Sequence, residues 1–497
     1  MLSALVALTT AHLVAAFLDT GASPLGAVGD AFIDLTPRWL KDAAIAAFGV
    51  NDKAALLVGM VVVIAVLAAA TGVLARRSPL AGAAAVLALG GVGAIAGTSR
   101  ADATSLAAVP SLVGAAVGAG CLTVLVRRLG RSAAGDVPPA AADRRSFLRL
   151  AAGLTAVAAL AAAAGSVAGS VRRTAAAARD LLTLPRPVRA APAVPAGAQS
   201  PVAGVVDVVT ANEDFYRIDT AFVVPQVDPA TWRLRVHGLV EREVTLTFDE
   251  LLDADLVEAF VTLTCVSNPI GGDLAGNARW LGLPVRDMLA RARPLPGADM
   301  VLSRSADGFT ASTPLAVLTD DRDALLAVGM NGEPLPLEHG FPVRMVVPGL
   351  YGYVSATKWL VDLEVTRFAD QQAYWTQRGW SELGPIKTAS RIEVPRAGAR
   401  VAAGDVAVGG TAWAQHTGVT AVEVQVDDGP WEPVRLGEEI SVDTWRQWSW
   451  QWEATPGEHT LRVRATDAAD GTQTGEQTGV LPDGATGWHE VAVTVTG

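Results

Sequence analysis

At 497 residues the chain is long enough for about three domains. Hydrophobic residues make up 51% and charged residues only 18%; that is too apolar for a uniformly soluble protein, and the excess lies before about residue 169. The net charge of −11 argues against nucleic acid as a partner, and the chain has no zinc spacing, no Cys-x-x-Cys, no Walker loop and no Gly-x-Gly-x-x-Gly between a strand and a helix.

Along the chain, five stretches approach the roughly 20 apolar residues that a hydrocarbon core requires: 2–18, 54–75, 80–97, 109–126 and 147–169. Several are rich in Ala and Gly, and the first and third also fit a buried or interfacial helix. Arg76 and Arg77 follow the second stretch, and Arg127, Arg128, Arg131, Arg144 and Arg145 lie between the fourth and fifth. Placing those loops inside puts the N-terminus inside and everything after residue 169 on the extracytoplasmic side of the cell membrane. Arg172 and Arg173, with Arg38, Lys41 and Lys53 in segment 21–53, count against this orientation, so it holds on balance. Asp143-Arg144-Arg145-Ser146-Phe147-Leu148-Arg149 resembles the twin-arginine signal that exports folded proteins; two ordinary positive-inside arginines are the plainer reading. No small-residue cleavage site follows, so the span is expected to stay as an anchor. A multi-pass membrane domain over 1–170 is the expectation.

Residues 171–204 read as a linker, because Pro185, Pro187, Pro192, Pro195 and Pro201 among many alanines predict an extended tether. From 205 to 391 the pattern is mixed. Alternation over 232–239 predicts a strand, 248–254 a short capped helix, 283–292 a helix opened by Pro284, and 343–347 and 358–365 further strands. With no regular βαβ alternation, the class expected is α+β. From 392 to 497 the texture is all-β, with short strands at 406–412, 419–426, 448–452, 460–465 and 489–495 and turns such as Asp427-Asp428-Gly429-Pro430. About seven strands in roughly 100 residues predict an immunoglobulin-like β-sandwich. Trp413, Trp431, Trp445, Trp448, Trp450 and Trp452 read as its core and interface.

The chain has two cysteines. Cys121 lies in an apolar stretch, and Cys265 lies in Val261-Thr262-Leu263-Thr264-Cys265-Val266-Ser267-Asn268-Pro269. In an oxidising compartment cysteines usually pair, yet Cys265 has no partner in its own domain. A lone exported thiol is buried, paired with another chain, reactive, or a metal ligand, and residue type alone leaves these open.

The flanking text narrows the choice. Glu338-His339-Gly340-Phe341-Pro342-Val343-Arg344-Met345-Val346-Val347-Pro348-Gly349, continuing through Gly352 to Lys358-Trp359, resembles molybdopterin-dependent oxidoreductases of the sulfite oxidase fold. Asn331-Gly332-Glu333-Pro334-Leu335-Pro336, Asp228-Pro229-Ala230-Thr231-Trp232-Arg233-Leu234 and Ala278-Arg279-Trp280-Leu281-Gly282 fit the same family. The all-β tail, with Gly487-Trp488-His489 near its end, resembles the family's C-terminal dimerisation domain. The resemblance runs from Asp214 to the C-terminus, roughly three-fifths of the chain.

This resemblance implies a molybdenum–molybdopterin cofactor with Cys265 as the metal-ligating, catalytic thiolate; a soft anionic sulfur suits a metal that changes oxidation state. It implies Arg344 as the arginine on the pterin phosphate and His339 as a pterin contact. Phe215, Tyr216, Arg217 and Asp219 would form the first cofactor segment, Ser305 a hydroxyl contact, and Gly352, Tyr353 and Lys358 the last cofactor loop. The chain also departs from the family. Sulfite oxidase and nitrate reductase follow the cysteine with Ala-Gly-Asn-Arg-Arg, whereas Cys265 is followed by Val266-Ser267-Asn268-Pro269-Ile270. The arginines that would hold a small oxyanion are missing, which argues against sulfite or nitrate and towards an S-oxide, N-oxide or other small sulfur compound. Tyr374, Trp375 and Trp380 lie near the place of sulfite oxidase's active-site tyrosine without a clear counterpart. Two cysteines exclude a cysteine-ligated iron–sulfur cluster, and no Cys-x-x-Cys-His exists for haem c. His12 is the only histidine in an apparent span. No haem or iron–sulfur centre is therefore expected in this chain, and an external electron partner, a cytochrome or quinone-linked protein, is implied. A homodimer through the all-β tail is a further implication. The alternative reading is an exported, non-enzymatic interaction module that has lost the cofactor.

Overall fold

The computed structural model describes residues 1–18, 20–37, 40, 47–48, 52–100, 103–131, 141–171, 174–469 and 471–497. Arg38, Lys41, Arg172 and Arg173, which bear on membrane orientation, lie outside the described residues. The chain divides into two units: Met1–Thr174 with Thr220–Gln226, and Ala175–Asp219 with Val227–Gly497.

The first unit is helical. Among the described residues, four helices are long and apolar enough to cross a membrane: Ala55–Arg77, Pro79–Ser99, Val109–Arg128 and Leu148–Val167. The first apolar stretch forms the helix Leu2–Leu18, which at 17 residues is shorter than these; five stretches are helical, but four reach spanning length. The alanines and glycines that weaken each span are used for close packing. Adding a Cβ at Gly114 would bring it 2.7 Å from the Ala11 methyl, and at Gly118 2.7 Å from that of Ala7. This four-residue spacing of small groups lets two helix backbones approach. Large side chains such as Val61, Val62, Leu87 and Leu160 remain exposed around the bundle, as a lipid-facing surface requires. The Arg144–Arg145 pair lies on the helix Ala141–Val171. The distant segment Thr220–Gln226 also joins this unit, where the Phe222 backbone N–H donates to Asp30 Oδ1 at 3.0 Å.

The second unit carries an α+β part and a β-sandwich. One five-stranded sheet runs Val244–Thr247, Arg233–Gly238, Leu360–Thr366, Met300–Ser305, Thr310–Pro314. A second contains Val257–Thr264, Ala275–Pro284, Leu325–Met330 and Glu333–Pro334, with Arg344–Val346 pairing Leu325–Met330. The core between them includes Leu234, Val236, Leu251, Leu283, Met288, Leu326 and Val343. Local signals act as expected. Phe248–Leu252 opens on a capping box between Thr247 and Glu250, and Val285–Ala292 starts directly after Pro284.

From residue 389 a four-stranded and a five-stranded sheet pack face to face. Trp448 and Trp452 belong to the core between them. Trp413 and Trp445 are also buried, in a cluster with Phe260 and Ala275 from the α+β part. Trp431 is half-buried and meets Trp488 edge-on at 4.8 Å.

The Pro/Ala-rich segment behaves differently from a free tether. Thr174–Leu181 is helical, and the stretch after it is extended but tied to the second unit. The Val188 N–H donates to Leu256 O at 2.8 Å, and the Glu258 N–H to Arg189 O at 2.8 Å. The Ser200 N–H donates to Gln447 Oε1 at 2.6 Å. The prolines remove the alternative of helix, and the exposed edge of the Val257–Thr264 strand supplies the backbone partners.

Candidate functional site

Cys265 sits where the buried strand Val257–Thr264 ends. Its N–H donates to Leu274 O at 2.9 Å, closing the loop that returns as Ala275–Pro284, and Asn268 pins the same loop by accepting the Leu274 N–H at 2.9 Å. The cysteine is 8% exposed. Burial pushes its thiol up, while hydrogen bonds from Ser267 and the nearby charge of Lys358 favour the thiolate.

The motif 338–359 builds a cradle beside it. A short turn, Leu337–His339, stops at Gly340, and the chain re-enters as the strand Arg344–Val346. This places His339, Arg344 and Lys358 together in the interior. Arg344 is 3% exposed and donates to His339 O at 3.1 Å and Ala356 O at 3.4 Å, with its guanidinium 5.0 Å over the Trp280 ring. No carboxylate pairs with it among the described residues, and burial pushes it down to about 10. Lys358 Nζ donates to Asp219 Oδ2 at 3.0 Å and to Glu338 O at 2.9 Å, and burial takes it down to about 8 despite Asp219. Asp219 also accepts from Arg217 Nε at 2.9 Å.

His339 is held neutral. Burial, then Arg344 and Lys358, push it down to about 3. Its Nε2 lies 3.3 Å from Asn212 O, which assigns the proton to Nε2, and its Nδ1 is buried without a partner. Phe215 braces the ring edge-on at 5.5 Å and stacks on Tyr216 at 5.2 Å. Burial of its hydroxyl and the neighbouring Cys265 push the Tyr216 phenol above its ordinary range, with Arg344 opposing. A hollow of about 740 Å³ opens here, lined by Asn212, Phe215, Arg217, Asn331, Leu337 and His339 among others.

A second hollow, about 350 Å³, lies where the α+β part meets the sandwich; Thr264, Asn268, Ile270, Tyr351, Lys387 and Gln473 line it. Lys387 is already engaged, its Nζ 2.8 Å from Asp483 Oδ1 and 2.8 Å from Gly484 O. Asp467 on the same wall accepts from Thr388 Oγ1 at 2.6 Å.

Most residues singled out in the sequence therefore converge: Cys265, Phe215, Tyr216, Arg217, Asp219, His339, Arg344 and Lys358. Two have polar groups committed elsewhere. Tyr353 gives its hydroxyl proton to Ser381 O at 2.6 Å and packs against Trp380; Ser305 Oγ accepts the Asp307 N–H at 3.4 Å within its own turn. Gly352 contributes backbone, in the helix Gly352–Ser355. Tyr374, Trp375 and Trp380 form an aromatic cluster with Phe309, and Arg378 lies 3.5 Å over the Tyr374 ring. Asn212, Tyr351 and Lys387 were not singled out by the sequence. Only Tyr351 carried a signal, its place inside the 338–359 motif.

An oxidoreductase molybdopterin binding domain matches residues 221–375, and a bacterial Ig domain matches 390–463. An uncharacterized Bacillus subtilis oxidoreductase, YuiH, is 33% identical over 160 residues, covering 32% of this chain and 76% of that protein. The chain belongs to the molybdopterin-dependent oxidoreductases of the sulfite oxidase family. Human mitochondrial sulfite oxidase is 31% identical over 330 residues, which is 55% of this chain and 59% of that enzyme. The sulfane dehydrogenase SoxCD of Paracoccus pantotrophus is 22% identical with a TM-score of 0.49, covering 56% of this chain and 80% of that one.

Family membership implies a molybdopterin cofactor, and the residues present fit one. Arg344 is a buried cation with no acidic partner among the described residues, which suits an anionic group. His339 Nδ1 is a buried acceptor without a donor, which suits the ring N–H groups of a pterin. Cys265 is a lone thiol within reach of the Lys358 charge, which suits a soft metal.

Proposed function

We propose that this chain is a membrane-anchored, extracytoplasmic molybdenum-cofactor oxidoreductase. It catalyses two-electron oxygen-atom transfer on a small neutral substrate of the S-oxide or N-oxide kind. The observation that carries the reading is the position of Cys265. It follows Thr264, which lines the cavity whose lysine is already paired, and it feels the charge of Lys358, the neighbour of the buried Arg344 in the cradle.

The bound cofactor would supply the two-electron oxo transfer. Cys265 would hold the metal as thiolate, and Lys358 and Ser267 favour loss of its proton. Arg344 and Lys358 would hold the cofactor's anionic end, and His339 Nδ1 would accept from its ring. On the substrate side, Ile270 stands where the relatives with Ala-Gly-Asn-Arg-Arg carry arginine, and it presents an apolar wall. With Lys387 paired and Asp467 a carboxylate, a dianion entering this cavity would lose its hydration without gaining a free cation. A neutral oxide needs only hydrogen-bond donors. Electrons would come from an external carrier, a cytochrome or a quinone-linked membrane protein. The arginine-rich loops and the helices of spanning length support an anchor with the catalytic unit outside.

Elemental analysis of the purified full chain, followed by a redox-dye assay across sulfoxides, N-oxides and sulfite, tests this. About one molybdenum per chain and turnover of a neutral oxide are expected. Metal-free protein, or efficient sulfite oxidation with a low-micromolar KM, overturns it.

A further inference from the structure

An oxide oxygen entering the cavity beside Cys265 needs a hydrogen-bond donor there, and the four tyrosines of the chain differ sharply in what their hydroxyls do. Tyr374 lies under Arg378 in the aromatic cluster. Tyr353 has given its proton to Ser381 O at 2.6 Å. Tyr216 stacks on Phe215 and faces the cradle, with Cys265 and Arg344 as its charged neighbours. Tyr351 lines the cavity with Thr264 and Asn268, the residues on either side of Cys265.

Three features prepare that phenol. Its oxygen accepts the Lys387 backbone N–H at 3.4 Å, and no acceptor for its own proton lies among the described residues. The sandwich loop at Asp483–Gly484 crosses over it. Gly484 has φ +97°, and a Cβ there would come within 2.5 Å of the Tyr351 hydroxyl, so only glycine lets the backbone pass this close. The Lys387–Asp483 pair, at 2.8 Å, ties the loop down. Burial above all, with Asp483 and Cys265 adding to it, pushes the phenol up to about 12, so it stays a donor throughout the working pH range.

We propose that Tyr351 is the hydrogen-bond donor that holds the oxygen of a neutral S-oxide or N-oxide in this cavity. The inference rests on the oxidoreductase reading above and names a catalytic residue within it. The oxygen of such an oxide already carries partial negative charge, and that charge grows as its bond to sulfur or nitrogen lengthens. A donor fixed in place therefore interacts more strongly with the transition state than with the ground state, and its loss lowers kcat more than it raises KM.

Tyr351→Phe in the full-length, cofactor-loaded protein removes one oxygen and no packing. With dimethyl sulfoxide as substrate, kcat/KM should fall roughly ten- to a hundred-fold, mostly in kcat, at unchanged molybdenum content and melting temperature. Binding of dimethyl sulfone, an unreactive analogue followed by ligand-observed NMR, should weaken several-fold. Unchanged kcat/KM in a molybdenum-loaded variant sinks the Tyr351 assignment and leaves the oxidoreductase reading standing. A wild-type protein without molybdenum sinks that reading instead. The sulfone titration then still decides the role of Tyr351: no binding by wild type, or equal binding by Tyr351→Phe, overturns it.

Discussion

In the cradle, Arg344 is buried and, among the described residues, donates hydrogen bonds to backbone carbonyls alone; in the cavity beside Thr264 and Asn268, Lys387 is partly exposed and already holds Asp483. Arg344 shares its interior with Lys358, while Lys387 lines the cavity, and Arg344 and Lys387 differ in what they lack. An unpaired buried charge costs several kcal/mol, so an anion beside Arg344 would offset that cost. The Lys387 site is complete as it stands. On the proposed reading, anion recognition would belong to the cradle, where the cofactor's phosphate would sit, and the cavity would be left for a neutral ligand. A basic side chain can mark a binding group or a structural tie, and whether it has an acidic partner separates the two.

The sharpest way to break this contrast is Arg344→Ala. If the cradle exists to hold an anion, removing its cation should drop molybdenum and pterin to below roughly a tenth of wild type, because charge-assisted hydrogen bonds to phosphate are the strong ones. Metal analysis and pterin fluorescence after oxidation read this directly, and a variant with wild-type cofactor content would place the anion site elsewhere. Cys265→Ser should act differently. It exchanges sulfur for oxygen with little change in volume, so pterin should stay bound while turnover falls by about three orders of magnitude, serine being a harder ligand. A Cys265→Ser protein with undiminished turnover would remove Cys265 from the metal.

The difference between the two regions also explains what could be read in the sequence. The cradle was legible because one contiguous stretch, 338–359, encodes the turn at Leu337–His339, the strand bearing Arg344 and the loop bearing Lys358. The cavity was not, because Thr264, Tyr351, Lys387 and Gln473 meet only through packing between the α+β part and the sandwich. Tyr351 and Tyr353 are two residues apart in the same motif. The structure sends one hydroxyl into the cavity wall and the other to Ser381, a difference no local pattern carries. The prolines of 185–201 correctly signal extended backbone but say nothing of the strand edge that captures it. The strand and helix signals at 232–239 and 283–292 rest on local alternation and capping, and those elements form where they predict.

A gentler variant tests whether the cavity is kept neutral by Asp483. Asp483→Asn leaves Lys387 held by Gly484 O but removes its counter-charge. Inhibition by sulfite or sulfate should tighten by roughly five-fold at low salt, since a partly exposed ion pair is worth about 1 kcal/mol or less, and the gain should fade as ionic strength rises. KM for a neutral oxide should change less than two-fold. Inhibition constants unmoved by the substitution would show that Asp483 has no part in setting the charge of the cavity.

The smallest effect concerns Lys358, whose ammonium burial takes down to about 8 from an ordinary 10.5 in spite of Asp219. Below about pH 8 both the folded and the unfolded chain carry this proton, and the folded state bears the cost of a buried cation. Between about pH 8 and 10.5 the unfolded chain still binds the proton while the folded chain has released it. Unfolding then takes up a proton, so stability contributed at this site rises with pH across that window. Bound cofactor should abolish the trend, because an anion beside Lys358 restores the charged form. Thermal melts of the full chain, prepared without cofactor and compared with Lys358→Met, isolate the contribution from other lysines and tyrosines. The wild-type midpoint should rise by a few degrees more than the variant's from pH 7.5 to 9.5, a shift consistent with roughly 1 kcal/mol in a protein of this size. Cofactor-loaded wild type should lose that excess. Equal slopes for the two cofactor-free proteins would mean that Asp219 alone satisfies Lys358, and that Arg344 is the one cation in the cradle waiting for an anion.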